Sequence, residues 1–256
     1  MIRLHQLSKR YGEVEAVCGL DLDIPTGQLV GLLGPNGAGK STTVKMLTGM
    51  LPPSGGSAEV FGIDVVRDPV AVKRLVGYVP ESGAVFETLT GWEYLQLVAE
   101  LHGLVDAEAA SRILRFAEFF ELTEHTLRRE LLAAYSKGMR QKVVITAALL
   151  HGPRAIFFDE PLSGLDANAA LGFKTLITSL AREGKTIVYC SHLLDVVERV
   201  CERIVIIHRG RLIADGPLAQ LQEETGERSL ERIFNRLTAT ENLLARAEEF
   251  ARVLAR

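Results

Sequence analysis

Cysteine is scarce in this chain: Cys18, Cys190 and Cys201 are the only three in 256 residues. An odd number without metal-ligand spacing excludes a disulfide framework and a thiolate metal site, and it points to a reduced, intracellular compartment. A basic excess is lacking too. Lys and Arg number 29 against 32 Asp and Glu, for a net charge of −3. No electrostatic footprint for nucleic acid results. Long apolar runs are missing. The longest uncharged stretch near a spanning length, 24–39, is broken by five glycines and two prolines, which excludes a transmembrane helix there. The opening residues hold no apolar stretch of the signal-peptide kind. Repeats, low-complexity segments and long heptad arrays are also absent.

What is present is a chain 47% hydrophobic, long enough for one large domain or a domain with a small appendage. Residues 19–24, GLDLDI, alternate strictly and predict a half-exposed strand. Residues 29–33, 155–158 and 186–190 are short continuous apolar runs bounded by turn or charged residues, as in buried parallel strands. Residues 203–216 predict a hairpin turning near Arg209-Gly210. Between about Thr90 and His151 the period becomes helical. Thr90 and Glu93 form a capping box ahead of an apolar face of Tyr94, Leu95, Val98 and Leu101. Ile113, Phe116, Ala117 and Phe120 make a second face. Met139, Val143, Ala147 and Leu150 make a third, closed by Gly152 and Pro153. In the tail, Leu230, Ile233, Phe234 and Leu237 share a face, and Leu243, Ala247, Phe250 and Leu254 recur at helical spacing.

The sharpest motif is GPNGAGKST: Gly34, Pro35, Asn36, Gly37, Ala38, Gly39, Lys40, Ser41 and Thr42. It follows a predicted strand and precedes a helix, where a phosphate loop belongs. The glycines let successive amides turn inward, and the helix adds its positive end. Lys40 can reach β- and γ-phosphates, and the Ser41 hydroxyl can ligate Mg²⁺. The alternative, a glycine-rich turn without a ligand, does not account for the Lys and Ser in register. A second motif ends the run 155–158 with Asp159 and Glu160, at the strand end where open parallel sheets bind ligands. Asp159 can hold the Mg²⁺ shell; Glu160, one residue on, points elsewhere and can orient or deprotonate water. By itself such an acidic pair is common. His192 closes a third buried strand, so it can reach a γ-phosphate oxygen if these strands are neighbours. The other five histidines read as structural or solvated.

A further stretch, YSKGMRQK (135–142), sets Ser136 as the N-cap of an apolar helix whose first positions are basic. Such an end attracts anions, yet it lies about a hundred residues from the phosphate loop. An ordinary N-cap with a solvated basic face is the plain alternative.

Taken in order, these motifs resemble those of ABC-type ATPases, the nucleotide-binding subunits of ABC transporters, over roughly residues 2–216. The resemblance implies an α/β fold: a P-loop NTPase core with a parallel sheet (2–88 and 152–216), an antiparallel N-terminal β subdomain and a helical insert at about 89–151. A helical extension, 217–256, follows. ATP and Mg²⁺ are the implied cofactors. Tyr11 stands where the family stacks adenine; a strand-edge aromatic is the alternative. GPNGAGKST matches Walker A and 155–160 matches Walker B. Ser163–Asp166 match the D-loop, and His192 matches the switch histidine. YSKGM stands at the signature, which in this family caps the γ-phosphate held by a second, head-to-tail copy. Ser136 and Gly138 would then be donors to a partner's ATP. In two places the sequence departs from the pattern. Lys137 and Met139 replace the usual first Gly and Gln of the signature, and Glu81 replaces the usual glutamine near the metal. Glu81 is thus an expected coupling residue and a possible Mg²⁺ ligand.

GYVPE, YSKGMRQK and the tail resemble subunits of bacterial exporters. That branch implies a separate membrane-spanning permease, a homodimer or pseudo-dimer of ATPase subunits, no nucleic acid, and a peripheral place on the cytoplasmic membrane face. A rival is a soluble ABC ATPase acting on nucleic acid or ribosomes; it usually carries tandem units, a long coiled coil or basic extensions, none of which is present. A nucleotide switch without hydrolysis is disfavoured by Glu160 and His192.

Overall fold

Strand and helix alternate along the chain. A computed structural model describes residues 1–238 and Val253. It opens with β1 (Ile2–Tyr11), β2 (Val14–Ile24) and β3 (Leu29–Leu33), then α1 (Lys40–Leu47), β4 (Gly55–Val60), β5 (Ile63–Asp64), α2 (Pro69–Leu75) and β6 (Val76–Val79). Four helices follow: α3 (Gly91–Leu101), α4 (Asp106–Phe119), α5 (Glu124–Arg129) and α6 (Lys137–Leu150). The chain then returns to the sheet through β7 (Ala155–Asp159), α7 (Ala167–Arg182), β8 (Thr186–Cys190), α8 (Leu194–Val200), β9 (Arg203–His208) and β10 (Arg211–Gly216). It ends its described part with α9 (Leu218–Thr225) and α10 (Leu230–Thr238). The predicted face 243–254 lies outside the described residues.

Two sheets result. One is antiparallel, in the order β2-β1-β4-β5; the other runs β10-β9-β3-β8-β7-β6, parallel apart from the edge strand β10. In β7 every residue is buried, and the pleat divides them between two cores. Ile156 and Phe158 face the helices, while Ala155 and Phe157 face the antiparallel sheet and α1. Each buried Phe contributes about 1.5–3 kcal/mol, so this strand is held from both sides.

β1 was not read from the sequence, because its apolar period breaks. Ile2, Leu4 and Leu7 are buried, and the step of three spans a register shift opposite β2. Gln6 there has φ 47 and facing Gly19 has φ 64, as in a bulge. β2 accordingly starts at Val14, five residues before the predicted strand.

The capping box at Thr90 is made in full: Thr90 Oγ1 accepts from the Glu93 amide and Glu93 from the Thr90 amide. The face predicted for α3 needs correction. Trp92, Leu95 and Ala99 are its buried stripe, whereas Leu101 is 74% exposed. Leu101 follows Ala99 by two residues, about 200° round the helix, and so points away from that stripe. Of the predicted stripe on α6, Val143, Ala147 and Leu150 are buried and Met139 is half-buried; every residue from Val143 to Leu150 is buried, since the helix is wedged between β6 and α3 and α4. Ile113, Ala117 and Phe120 are buried as expected, and α10 docks Leu230 and Ile233 into the same core.

Candidate active site

In the parallel sheet β8 lies between β3 and β7. Three loops therefore emerge side by side at the C-terminal ends of these strands: 34–39 after β3, Glu160 after Asp159 at the end of β7, and His192 after β8. An open cleft of about 900 Å³ lies here, lined by Asn36 to Thr42 together with Glu81, Asp159, Glu160 and His192. The motifs are thus brought together from positions up to 156 apart in sequence by strand order alone.

The phosphate loop is tightly built. Gly39 caps α1 at φ 104, and a Cβ there would stand 2.5 Å from the Ala16 carbonyl oxygen. Both facts require glycine. Lys40 Nζ donates to the Gly34 and Pro35 carbonyls at 2.6 and 3.2 Å, which holds the ammonium across the mouth of the loop. α1 has no side-chain cap, so its first amides remain available to an anion.

Asp159 is buried, and burial pushes its carboxyl above the ordinary range; a hydrogen bond from Ser41 opposes this, while the nearby Glu81 and Glu160 carboxylates reinforce it. Ser41, Asp159 and Glu81 are therefore close neighbours. A hydroxyl beside a buried carboxylate, facing a phosphate loop, is a donor set that fits Mg²⁺, which keeps waters and takes phosphate oxygens. Among the described residues no cluster of three His, Cys, Asp or Glu forms an all-protein metal site.

Glu160 points away from Asp159, as the one-residue step predicts. Its Oε1 accepts from the His192 amide at 2.8 Å, and its Oε2 accepts from Ser191 Oγ at 3.1 Å and lies 2.8 Å from His192 Nδ1. The His192 side chain is 74% exposed, so its ring projects into the cleft while tied to the carboxylate. Glu160 has φ 52, an uncommon backbone state for a non-glycine residue.

Other predicted residues lie elsewhere. Tyr11 is 48% exposed at the end of β1, with Lys9 Nζ 5.5 Å from its ring centroid. It does not line the cleft, although Val14, its partner across the turn, does. Ser136 caps α6, accepting from the Met139 amide at 3.2 Å, and is exposed outside this cleft. Gly138 is packed on the D-loop: a Cβ would stand 2.4 Å from the Gly164 oxygen.

Sequence reasoning missed Arg209. It lines the cleft from the β9–β10 turn, whose Gly210 amide donates to the Ala38 carbonyl at 3.0 Å. The hairpin itself was legible, but no local signal says that its tip meets the phosphate loop.

Residues 17–163 match the family described as ABC transporter. The ABC transporter ATP-binding protein NatA of Bacillus subtilis is 39% identical over 91% of this chain and 96% of its own length. The daunorubicin/doxorubicin resistance ATP-binding protein DrrA of Streptomyces peucetius is 38% identical over 88% of this chain and 67% of its own. Among solved structures, an ATP-binding subunit of an ABC transporter superposes with a TM-score of 0.87 at 32% identity, covering 93% of this chain and all of that one. A dimeric ATP-binding cassette in a post-hydrolysis state, bound to ADP and phosphate, gives 0.78 at 26% identity over 85% and 99%.

Proposed function

This chain belongs to the ABC transporter family as an ATP-binding subunit, and from that premise we propose how its residues divide the work of ATP hydrolysis. The observation that carries the proposal is the convergence of Lys40, Ser41, Asp159, Glu160 and His192 on one cleft. The loop amides 36–42 and Lys40 bind the β- and γ-phosphates. Ser41 and Asp159 would hold Mg²⁺, with Glu81 a further carboxylate in the same cleft. The metal, when bound, supplies fixed positive charge to the phosphate oxygens. Glu160 orients the attacking water and accepts its proton, and His192, tied to that carboxylate, hydrogen-bonds the γ-phosphate. Tyr11 stacks on the adenine.

Two copies pair head to tail, so that Ser136 and Gly138 of each complete the other's nucleotide site. The dimeric cassette with ADP and phosphate supports this arrangement. No helix among the described residues is long and apolar enough to cross a membrane. We assign the spanning role to a separate permease, which places this chain peripherally on the cytoplasmic membrane face. Export is the favoured direction, on the strength of the drug-resistance relative. Residues 2–216 form the ATPase unit, with 89–151 its helical insert and 217–256 an appendage.

Two measurements test this. Purified protein should release phosphate from ATP only with Mg²⁺. Affinity purification from detergent-solubilised native membranes should bring down a multi-span protein; recovery of ribosomes or nucleic acid instead would favour the non-transport class.

A further inference from the structure

The segment that follows Glu160 rests on the start of α6. The Ser163 amide donates to the Glu160 carbonyl at 3.1 Å and closes a turn through Pro161 and Leu162. This turn carries Glu160 at φ 52, and such a backbone persists only where its surroundings over-determine it. Those surroundings are β8, whose Cys190 carbonyl accepts from the Glu160 amide at 2.9 Å, and one face of α6. Gln141 Nε2 donates to the Pro161 carbonyl at 3.0 Å, and Gly138 backs onto Gly164. Lys137 Nζ donates to Ser163 Oγ at 2.7 Å. The first two holds from α6 are a buried side chain and a backbone contact. The third comes from a long exposed side chain at a position where the resemblance leads one to expect glycine, which has no atom to make it.

We propose that Lys137 is a positioning residue for Glu160: its bond to Ser163 fixes the 160–163 turn, and with it the carboxylate that serves the water. The proposal rests on the ATPase reading above. Lys137 does not line the cleft of its own chain, so toward that cleft it acts through the geometry of the base and not through contact with the nucleotide. It also adjoins Ser136. One side chain therefore ties the helix end offered to a partner's nucleotide to the carboxylate that works on the chain's own.

The test uses the full chain with Lys137→Met, Ser163→Ala, the double variant and Lys137→Arg. Each single change should lower kcat by roughly 3- to 10-fold, the scale of one lost hydrogen bond of ordinary, solvent-exposed strength, with KM for ATP within about two-fold of the parent. The double variant should be no worse than the poorer single, because the two remove one contact. Lys137→Arg should restore most of the rate. Amide hydrogen exchange across 160–166, measured without nucleotide, should quicken in both singles. That readout needs no turnover, so a parent protein that fails to hydrolyse ATP would sink the ATPase reading while exchange still judges the clip. A Ser163→Ala variant with parental kcat and exchange overturns the proposal, since Lys137 would then act through its charge. Additive losses in the double variant, or a loss confined to KM, overturn it as well.

Discussion

Two helices in this chain begin in opposite ways. α1 starts from glycine, has no side-chain cap, and opens into a cleft walled by Asp159, Glu160 and His192. α6 starts from a serine that caps it, carries no acid in its first turn, and presents an exposed end beside Lys137 and Arg140. Both ends favour anions. The first is surrounded by Asp159, Glu160 and His192, the groups proposed above to hold metal and handle water. The second has the donors, and the carboxylate beside it, Glu87, is paired with Arg140 at 3.0 Å and is not grouped with a hydroxyl and a second acid. A helix end of the second kind can hold a phosphate whose chemistry is done elsewhere, which is what a subunit contributing to a partner's site requires.

The comparison predicts unequal losses when each end is broken. At the α1 cleft, Glu160→Gln should reduce steady-state turnover by a factor on the order of 10² or more with ATP binding intact. A variant turning over at the parental rate would remove Glu160 from its role. Lys40→Ala in the same cleft should abolish turnover as well.

At the α6 end, Ser136→Arg should leave a labelled-ATP titration unchanged, because the chain's own phosphate loop is built from distant residues. In the Glu160→Gln background it should convert an ATP-bound dimer to monomer on size exclusion, run with the membrane partner if the isolated subunit pairs too weakly. A double variant that stays dimeric would reduce Ser136 to a helix cap.

The rim of the α1 cleft is a weaker lever. Tyr11→Ala should cost about 1–3 kcal/mol of nucleotide affinity if the ring stacks on the base, and Tyr11→Phe should be neutral. The exposed position of Tyr11 makes this a direct question for a binding titration: equal affinities for Ala and Tyr would exclude stacking.

The smallest effect on ATP chemistry belongs to the other end of α6. His151 caps it, hydrogen-bonds the Val76 carbonyl at 3.1 Å and stacks on His102 with centroids 3.7 Å apart. Burial, and then the charge of His102, pull the His151 imidazole down from 6.5 to about 4. The folded-state value lies below the unfolded one. Stability is therefore whole above pH 6.5 and falls as the pH drops towards 4, where the unfolded chain has taken up a proton the folded one refuses. Urea midpoints measured across that window should decline, and His151→Gln should flatten part of the decline while leaving both helix starts untouched.

How much of this could be read from residues follows from how far the causes reach. β3 and β8 match the predicted runs residue for residue, and β7 runs one residue further, because strands buried on both faces need unbroken apolar sequence. The phosphate loop was legible because backbone geometry at Gly39 leaves few residue choices. Leu101 was misplaced because two overlapping sets at helical spacing run through α3, and spacing alone does not say which of them meets the core. β1 was missed because a bulge at Gln6 shifts its period. Arg209, and the clasp of Lys137 on Ser163, depend on which loop lies across which helix, and no local pattern encodes that.

Strand order also has a consequence for biosynthesis. β3, which carries the phosphate loop, pairs only with β8 and β9, and neither is translated until some 150 residues later. While the ribosome makes the intervening helices, this apolar strand has both edges open, the state most exposed to mispairing and to chaperone capture. Its contacts are long-range, so closure is slow. The cleft is therefore complete only once β8 and the His192 loop that follows it have been made.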